Sequence, residues 1–265
     1  MTDLRYLLLQ TRNADDEMRA QEVGCFAQAL GCDRSAIAVF DLLAAAPSTQ
    51  LLQQVDMILL GGSGHYSAAE KSPPHVEQGP GEAWLDRAFD TLRDVHHLAK
   101  PTFASCWGFQ AMARALGGRC IHDLPRAELG TIELHLTDAG RDDPLFGPLP
   151  AKFAAQAGHE DHVVALPPDA VLLASSQKVP EQAYRLIGKP IYCTQFHPEL
   201  DRQAMLERVR AYPAYIQRIV GTSYDRFAAD CRETPEANTL LRRFIELVFH
   251  KVDRRGGVSP PKHCP

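Results

Sequence analysis

Two short segments constrain the fold of this chain more than any others. They are Pro101-Thr-Phe-Ala-Ser-Cys-Trp-Gly-Phe-Gln110 and Ile191-Tyr-Cys-Thr-Gln-Phe-His-Pro-Glu199. The first is an apolar run that ends at Cys106 and turns at once into a helical pattern, so it reads as a strand–turn–helix unit with a thiol at the turn. The second is another apolar run, ending in His197 with Glu199 two places on. In extended backbone, residues two apart point to the same side, which would let Glu199 reach the imidazole. A thiol at one strand end and an imidazole–carboxylate pair at another are the parts of a nucleophilic triad. Cys106 would attack an acyl carbon, His197 would move the proton, and Glu199 would orient His197.

The turn at Cys106 needs small neighbours, and Ala104 and Gly108 supply them two places to either side. The helix that follows points its first N–H groups at the thiol and favours a thiolate there. The N–H of Trp107 lies where a donor to an oxyanion is expected. Gly61-Gly62, at the end of another apolar run, suits a second donor because glycine lets the backbone come close to a substrate.

The remaining pattern predicts the architecture. Residues 4–11, 36–43 and 55–60 read as strands, and 16–30, 47–54, 82–98 and 107–116 as helices. Continuous apolar strands alternating with helices predict a mainly parallel sheet covered on both faces. Residues 63–81 lack periodicity and form a long loop, a kind of segment that is often functional. Short strands are expected at 128–136, 152–159, 170–175, 183–187 and 191–196, which would add a small antiparallel extension to the sheet. Residues 1–200 thus form one α/β domain, 201–250 a helical extension packed on it, and 251–265 a disordered tail.

Composition excludes several functions. The net charge is −5 and no Lys/Arg stripe forms, which speaks against a nucleic-acid or anionic-membrane surface. No apolar run approaches the ~18–20 residues needed to span a bilayer, and residues 1–10 do not resemble a signal peptide. The 7 cysteines are scattered without a Cys-x-x-Cys, consistent with reduced thiols in the cytoplasm. Cys25, Cys32, Cys120 and Cys193 read as structural. His159-Glu-Asp-His162 lacks the spacing of a metal site, and Gly61-Gly-Ser-Gly64 lacks that of a nucleotide loop. Neither a metal nor a cofactor is expected.

Ser105-Cys-Trp-Gly-Phe-Gln110 followed by Gln195-Phe-His-Pro-Glu199 resembles the class I (triad-type) glutamine amidotransferase family, especially stand-alone members similar to the glutaminase domain of GMP synthase. The resemblance implies a flavodoxin-like α/β fold and hydrolysis of the side-chain amide of L-glutamine through a γ-glutamyl thioester. Carried over by position, it implies Cys106 as nucleophile, His197 as base and acid, and Glu199 as its orienter. It further implies Gly62 and Trp107 as oxyanion donors and Gln110 as a glutamine contact. The segment around Gly61 and the backbone of His159, Glu160 and Asp161 would lie beside the substrate. Two departures stand out: Ala104 replaces the family's Gly, and Phe109 replaces its His. The chain also has no pyrophosphate loop able to activate an ammonia acceptor, so the acceptor would sit on a synthetase partner in trans. Two other readings stay open. The same triad could serve a γ-glutamyl hydrolase or peptidase, with loop 63–81 accommodating the leaving group. The fold could also serve a non-catalytic binding subunit that docks through residues 200–250.

Overall fold

A computed structural model describes residues 4–72, 77, 79 and 83–249. The tail at 251–265 and parts of loop 63–81 lie outside the described residues. The strands are β1 (Tyr6–Gln10), β2 (Ile37–Asp41), β3 (Met57–Leu60), β4 (Thr102–Ser105), β5 (Arg119–His122), β6 (Glu128–Leu136), β7 (Lys152–His159), β8 (Asp161–Ala165), β9 (Ala170–Ser176), β10 (Ala183–Leu186) and β11 (Ile191–Thr194). Five of them run parallel in the order β2-β1-β3-β4-β11, the flavodoxin-like arrangement. Antiparallel β10, β9, β6 and β7 continue the same sheet.

Helices cover both faces. The first five are α1 (Met18–Leu30), α2 (Thr49–Gln54), α3 (Trp84–His97), α4 (Trp107–Ala115) and α5 (Asp138–Asp142). They are followed by α6 (Arg202–Ala211), α7 (Pro213–Tyr215) with a π-helical turn at Ile216–Val220, α8 (Tyr224–Asp230), α9 (Pro235–Asn238) and α10 (Leu240–Phe249). Side chains on β1 alternate between the two layers. Leu7 and Leu9 join Leu52, Phe89, Leu92 and Met112 from α2, α3 and α4. Tyr6 and Leu8 join Phe26, Leu30, Leu240 and Phe244 from α1 and α10.

Local signals fix several boundaries. Helix α1 stops at Gly31, whose φ of 72° lets its N–H return to the carbonyls of Ala27 and Gln28. Ser48 and Asp201 cap α2 and α6 by accepting from Leu51 N and Ala204 N.

The structure adds elements to those of the sequence reading. Strands β5 and β8 form a separate two-stranded sheet, which their short mixed sequences did not announce. Helix α8 also lacked a clear period. The segment 159–161 is a corner at which β7 ends and β8 begins, with Glu160 between them.

The C-terminal helices are part of the core. The buried Phe244 ring meets Phe103 of β4 and Tyr192 of β11 edge-on, with centroids 5.7 and 5.8 Å apart. Truncating Phe244 to alanine should therefore lower the unfolding free energy by about 3–5 kcal/mol in a urea titration, whereas a loosely docked helix would show almost no change.

Candidate active site

The site forms at the carboxyl ends of the parallel strands, where open α/β sheets place their ligands. Strand β4 ends at Ser105, and Cys106 turns the chain into α4 with φ of 53° and ψ of −105°. L-residues rarely hold such a conformation, which costs on the order of 1–3 kcal/mol. Two backbone hydrogen bonds clamp it. Cys106 N donates to Thr194 O of β11 at 2.8 Å, and Gly108 N donates to Gly61 O at 3.1 Å. Gly108 is required because a Cβ there would lie 2.5 Å from Leu60 Cβ and 3.3 Å from Ala104 Cβ. The small residues around the thiol thus let α4 sit directly on β3 and β4.

His197 follows β11 and is tied to β7 by donation of its N–H to Gln156 O at 2.8 Å. Its Nδ1 lies 2.6 Å from Glu199 Oε1, and both side chains are buried. The contact matches the sequence reading, but the backbone that makes it does not. The chain turns at Pro198 and Glu199, and Leu200 N returns to His197 O at 3.3 Å. A tight turn, not extended chain, carries the carboxylate back to the ring. Asp201 caps the following helix.

Gly62 completes the convergence. A Cβ there would lie 3.0 Å from His197 Cε1 and 3.6 Å from Cys106 Sγ. The space between thiol and imidazole is therefore bounded by a residue whose side chain, if it had one, would press on the imidazole. The Cys106 thiol also points to Gly158 O, 3.6 Å away.

Electrostatics couple the pair. Burial alone would lower the pKa of His197, but Glu199 and then Cys106 overcome it and raise it from 6.5 to about 9. Burial likewise opposes ionisation of Glu199, yet His197 and then Arg208 hold its carboxyl below the ordinary range. At neutral pH His197 is thus an imidazolium facing an ionised carboxylate.

The other predicted residues are placed behind the cleft. Gln110 donates from Nε2 to Asp161 O at 2.8 Å and to Gln195 Oε1 at 3.1 Å, so its amide braces α4 against β8. His159 lies between Glu128 Oε2 (3.1 Å) and Asp161 O (3.0 Å). Glu160 pairs with Arg218, and Asp161 accepts from Ser67 and meets His122 Nδ1 at 2.9 Å. Trp107 is buried and stacks on Trp84 at 5.9 Å. Phe109, in place of the family's His, packs on Tyr184 at 4.9 Å within the core.

A cleft holding about 450 Å³ of empty space, open to solvent, leads to Cys106, His197, Gly62 and Gly158. The sequence reading missed much of its wall: Arg12, Ser63, Gly64, Arg208, Tyr212 and Tyr215. The spacing of four between Arg208 and Tyr212 placed them on one side of a helical stretch, but only the fold turns that side to the thiol.

A model of the glutamine amidotransferase class-I family matches residues 45–207. The chain belongs to this family. Among its relatives, the GMP synthase of Aeropyrum pernix is 34% identical over 122 residues, covering 46% of this chain and 23% of the relative. The GMP synthase of Thermosipho melanesiensis is 30% identical over 182 residues, covering 69% and 29%. Gamma-glutamyl peptidase 3 of Arabidopsis thaliana is 28% identical over 166 residues, covering 62% of each chain. The chain thus spans about a quarter of the length of the GMP synthases it matches and under two thirds of the peptidase. A solved glutamine amidotransferase from Thermotoga maritima shares the fold, with a TM-score of 0.72 and 18% identity over 93% of this chain and 98% of that one. A glutamine amidotransferase structure from Methylobacillus flagellatus does so at 0.65 and 18%, over 99% of each chain. Other members thus fold in the same way at low identity. Arg208, Tyr212 and Tyr215 fall outside the stretch that the family model matches.

The raised pKa of His197 links stability to pH. Its contribution is fully present below 6.5, where the unfolded imidazole is also charged, and is lost as pH rises through about 9. Urea unfolding from pH 6 to 10 should show this loss in the wild type. Glu199→Gln should flatten it, because the carboxylate that holds the proton is gone.

Proposed function

We propose that the chain is a glutamine amidotransferase-type glutaminase that hydrolyses the side-chain amide of L-glutamine. The single observation that carries this reading is the convergence of Cys106, His197, Glu199 and Gly62 at one end of the cleft. The Cys106 sulfur, its proton passed to His197, attacks the amide carbon. The N–H groups of Gly62 and Trp107 stabilise the oxyanion, each worth about 10²–10³ in rate. His197 returns the proton to the leaving nitrogen, ammonia departs, and a γ-glutamyl thioester remains. Water then attacks the thioester, His197 takes its proton, and glutamate leaves as the thiol is restored. Glu199 holds the imidazole in place throughout.

In this reading the backbone from Gly158 to Asp161 receives the amino acid end of glutamine. Gly158 already borders the cleft, and the Gln110, His159 and Asp161 contacts hold that corner rigid. Glu160, paired with Arg218, anchors the same corner from outside. Ammonia passes to an acceptor on a synthetase partner.

A second reading uses the same triad as a γ-glutamyl peptidase. It is favoured by the similarity to the Arabidopsis peptidase, which extends over equal shares of both chains. Incubation with the glutamine analogue diazo-oxo-norleucine, followed by peptide mapping, tests the first reading. Labelling at Cys106 that L-glutamine blocks supports it. If iodoacetamide alkylates Cys106 but the analogue does not, the substrate is another γ-glutamyl compound. Cys106→Ala should lower hydrolysis by about 10⁴–10⁶-fold, and retained turnover would remove the thiol from the mechanism.

A further inference from the structure

The Glu199 carboxylate is buried and held ionised, and His197 Nδ1 meets its Oε1 at 2.6 Å. A buried carboxylate is costly unless both of its oxygens find a donor or a counter-charge. Arg208 lies in the right place to supply one. Its Nη1 is 3.9 Å from Glu199 Oε1, with the two side chains 10% and 0% exposed. Arg208 Nη1 and Glu199 Oε2 are both buried without a hydrogen-bond partner among the described residues.

The guanidinium is held from behind. Its Nε and Nη2 both donate to Gln21 Oε1, at 3.2 and 3.1 Å, and Gln21 Nε2 donates to Ala204 O at 2.8 Å. Gln21 on α1 and Ala204 on α6 thereby fix a fork whose remaining nitrogen faces the carboxylate. We propose that Arg208, clamped by Gln21, is a positioning residue that neutralises Glu199 and so sets the charge and placement of His197. It touches no reacting atom and acts through Glu199. Gln21 and Arg208 both lie outside the stretch matched by the family model.

Other titratable groups face this cluster, and the Cys106 thiol faces His197 itself. Cys25 on α1 faces Arg208 and Glu199, and burial pushes its thiol up to about 12. Tyr212 on the far side is also pushed up by burial, and its hydroxyl bonds Asp16 and Arg12. Glu22 is paired with Arg12, and Asp201 caps α6.

This inference rests on the reading of Cys106, His197 and Glu199 as a triad, so its test does not depend on turnover. The full chain, labelled with ¹³C at histidine Cε1, is titrated by NMR, and the His197 signal is assigned by its loss in His197→Gln. The wild type should titrate near 9. Removing a nearby positive charge favours the remaining one, so Arg208→Met should raise that midpoint by roughly 0.5–1 unit, and Arg208→Lys should keep it near the wild type. An unchanged midpoint in a folded Arg208→Met protein overturns the role of Arg208 and leaves the triad reading intact. A wild-type His197 that titrates near 6.5 overturns the charge coupling to Glu199 and with it the role of Arg208. If Arg208→Met does not fold, Gln21→Leu frees the guanidinium from its clamp. It should move the midpoint the same way, and no movement overturns the proposal.

Discussion

The clamp on the Cys106 peptide is the constraint on which the site depends. A positive φ at a non-glycine residue is unfavourable on its own, and it persists only where the surroundings over-determine it. Here β11 takes the Cys106 N–H and the end of β3 takes the Gly108 N–H. The same two strands deliver His197 and Gly62. One set of backbone hydrogen bonds therefore both strains the thiol-bearing residue and brings its partners to it. Loosening either bond would relax the turn and separate the groups together.

The antiparallel half of the sheet has a second task. Strand β7 ties down His197 through Gln156 and places the Gly158 carbonyl beside the thiol. At its end, His159, Glu160 and Asp161 are each bound to a different element: β6 through Glu128, the π-helical turn through Arg218, and the start of loop 63–81 through Ser67. Polar side chains there are spent on holding a backbone corner, which explains why they lie behind the cleft and do not line it. Gln110 does the same from α4. Such a network is consistent with a site that binds its substrate by main-chain groups, whose positions must be fixed by packing and hydrogen bonds around them.

The helices beyond residue 200 close the other side. Helix α6 carries Met205, Arg208 and Val209 into the wall, and Tyr212 and Tyr215 follow. The Tyr212 hydroxyl donates to Asp16 and accepts from Arg12, which lines the same cleft. These residues give the site its particular shape on a sheet that many proteins share. Fold alone does not determine which compound a member of this family accepts.

The strand–turn–helix at Cys106, the Gly61-Gly62 strand end, the alternation of strands and helices and the antiparallel extension were all legible in the chain itself. Each is a local pattern: small residues where backbones must touch, apolar runs of strand length, and the period of helices on a covered sheet. His197 and Glu199 were legible as a pair, yet the turn that joins them was not, because two residues of sequence do not fix a backbone direction. Tertiary structure alone decided that Gln110 and His159–Asp161 brace the site from behind and that Phe109 belongs to the core. It also decided that Arg12, Arg208 and two tyrosines from distant segments line the cleft that leads to the thiol. Contacts between residues some 200 positions apart, such as Arg12 with Tyr212, leave no periodicity or spacing to read. They exist only once the sheet has set its strands side by side and the helices have packed across it.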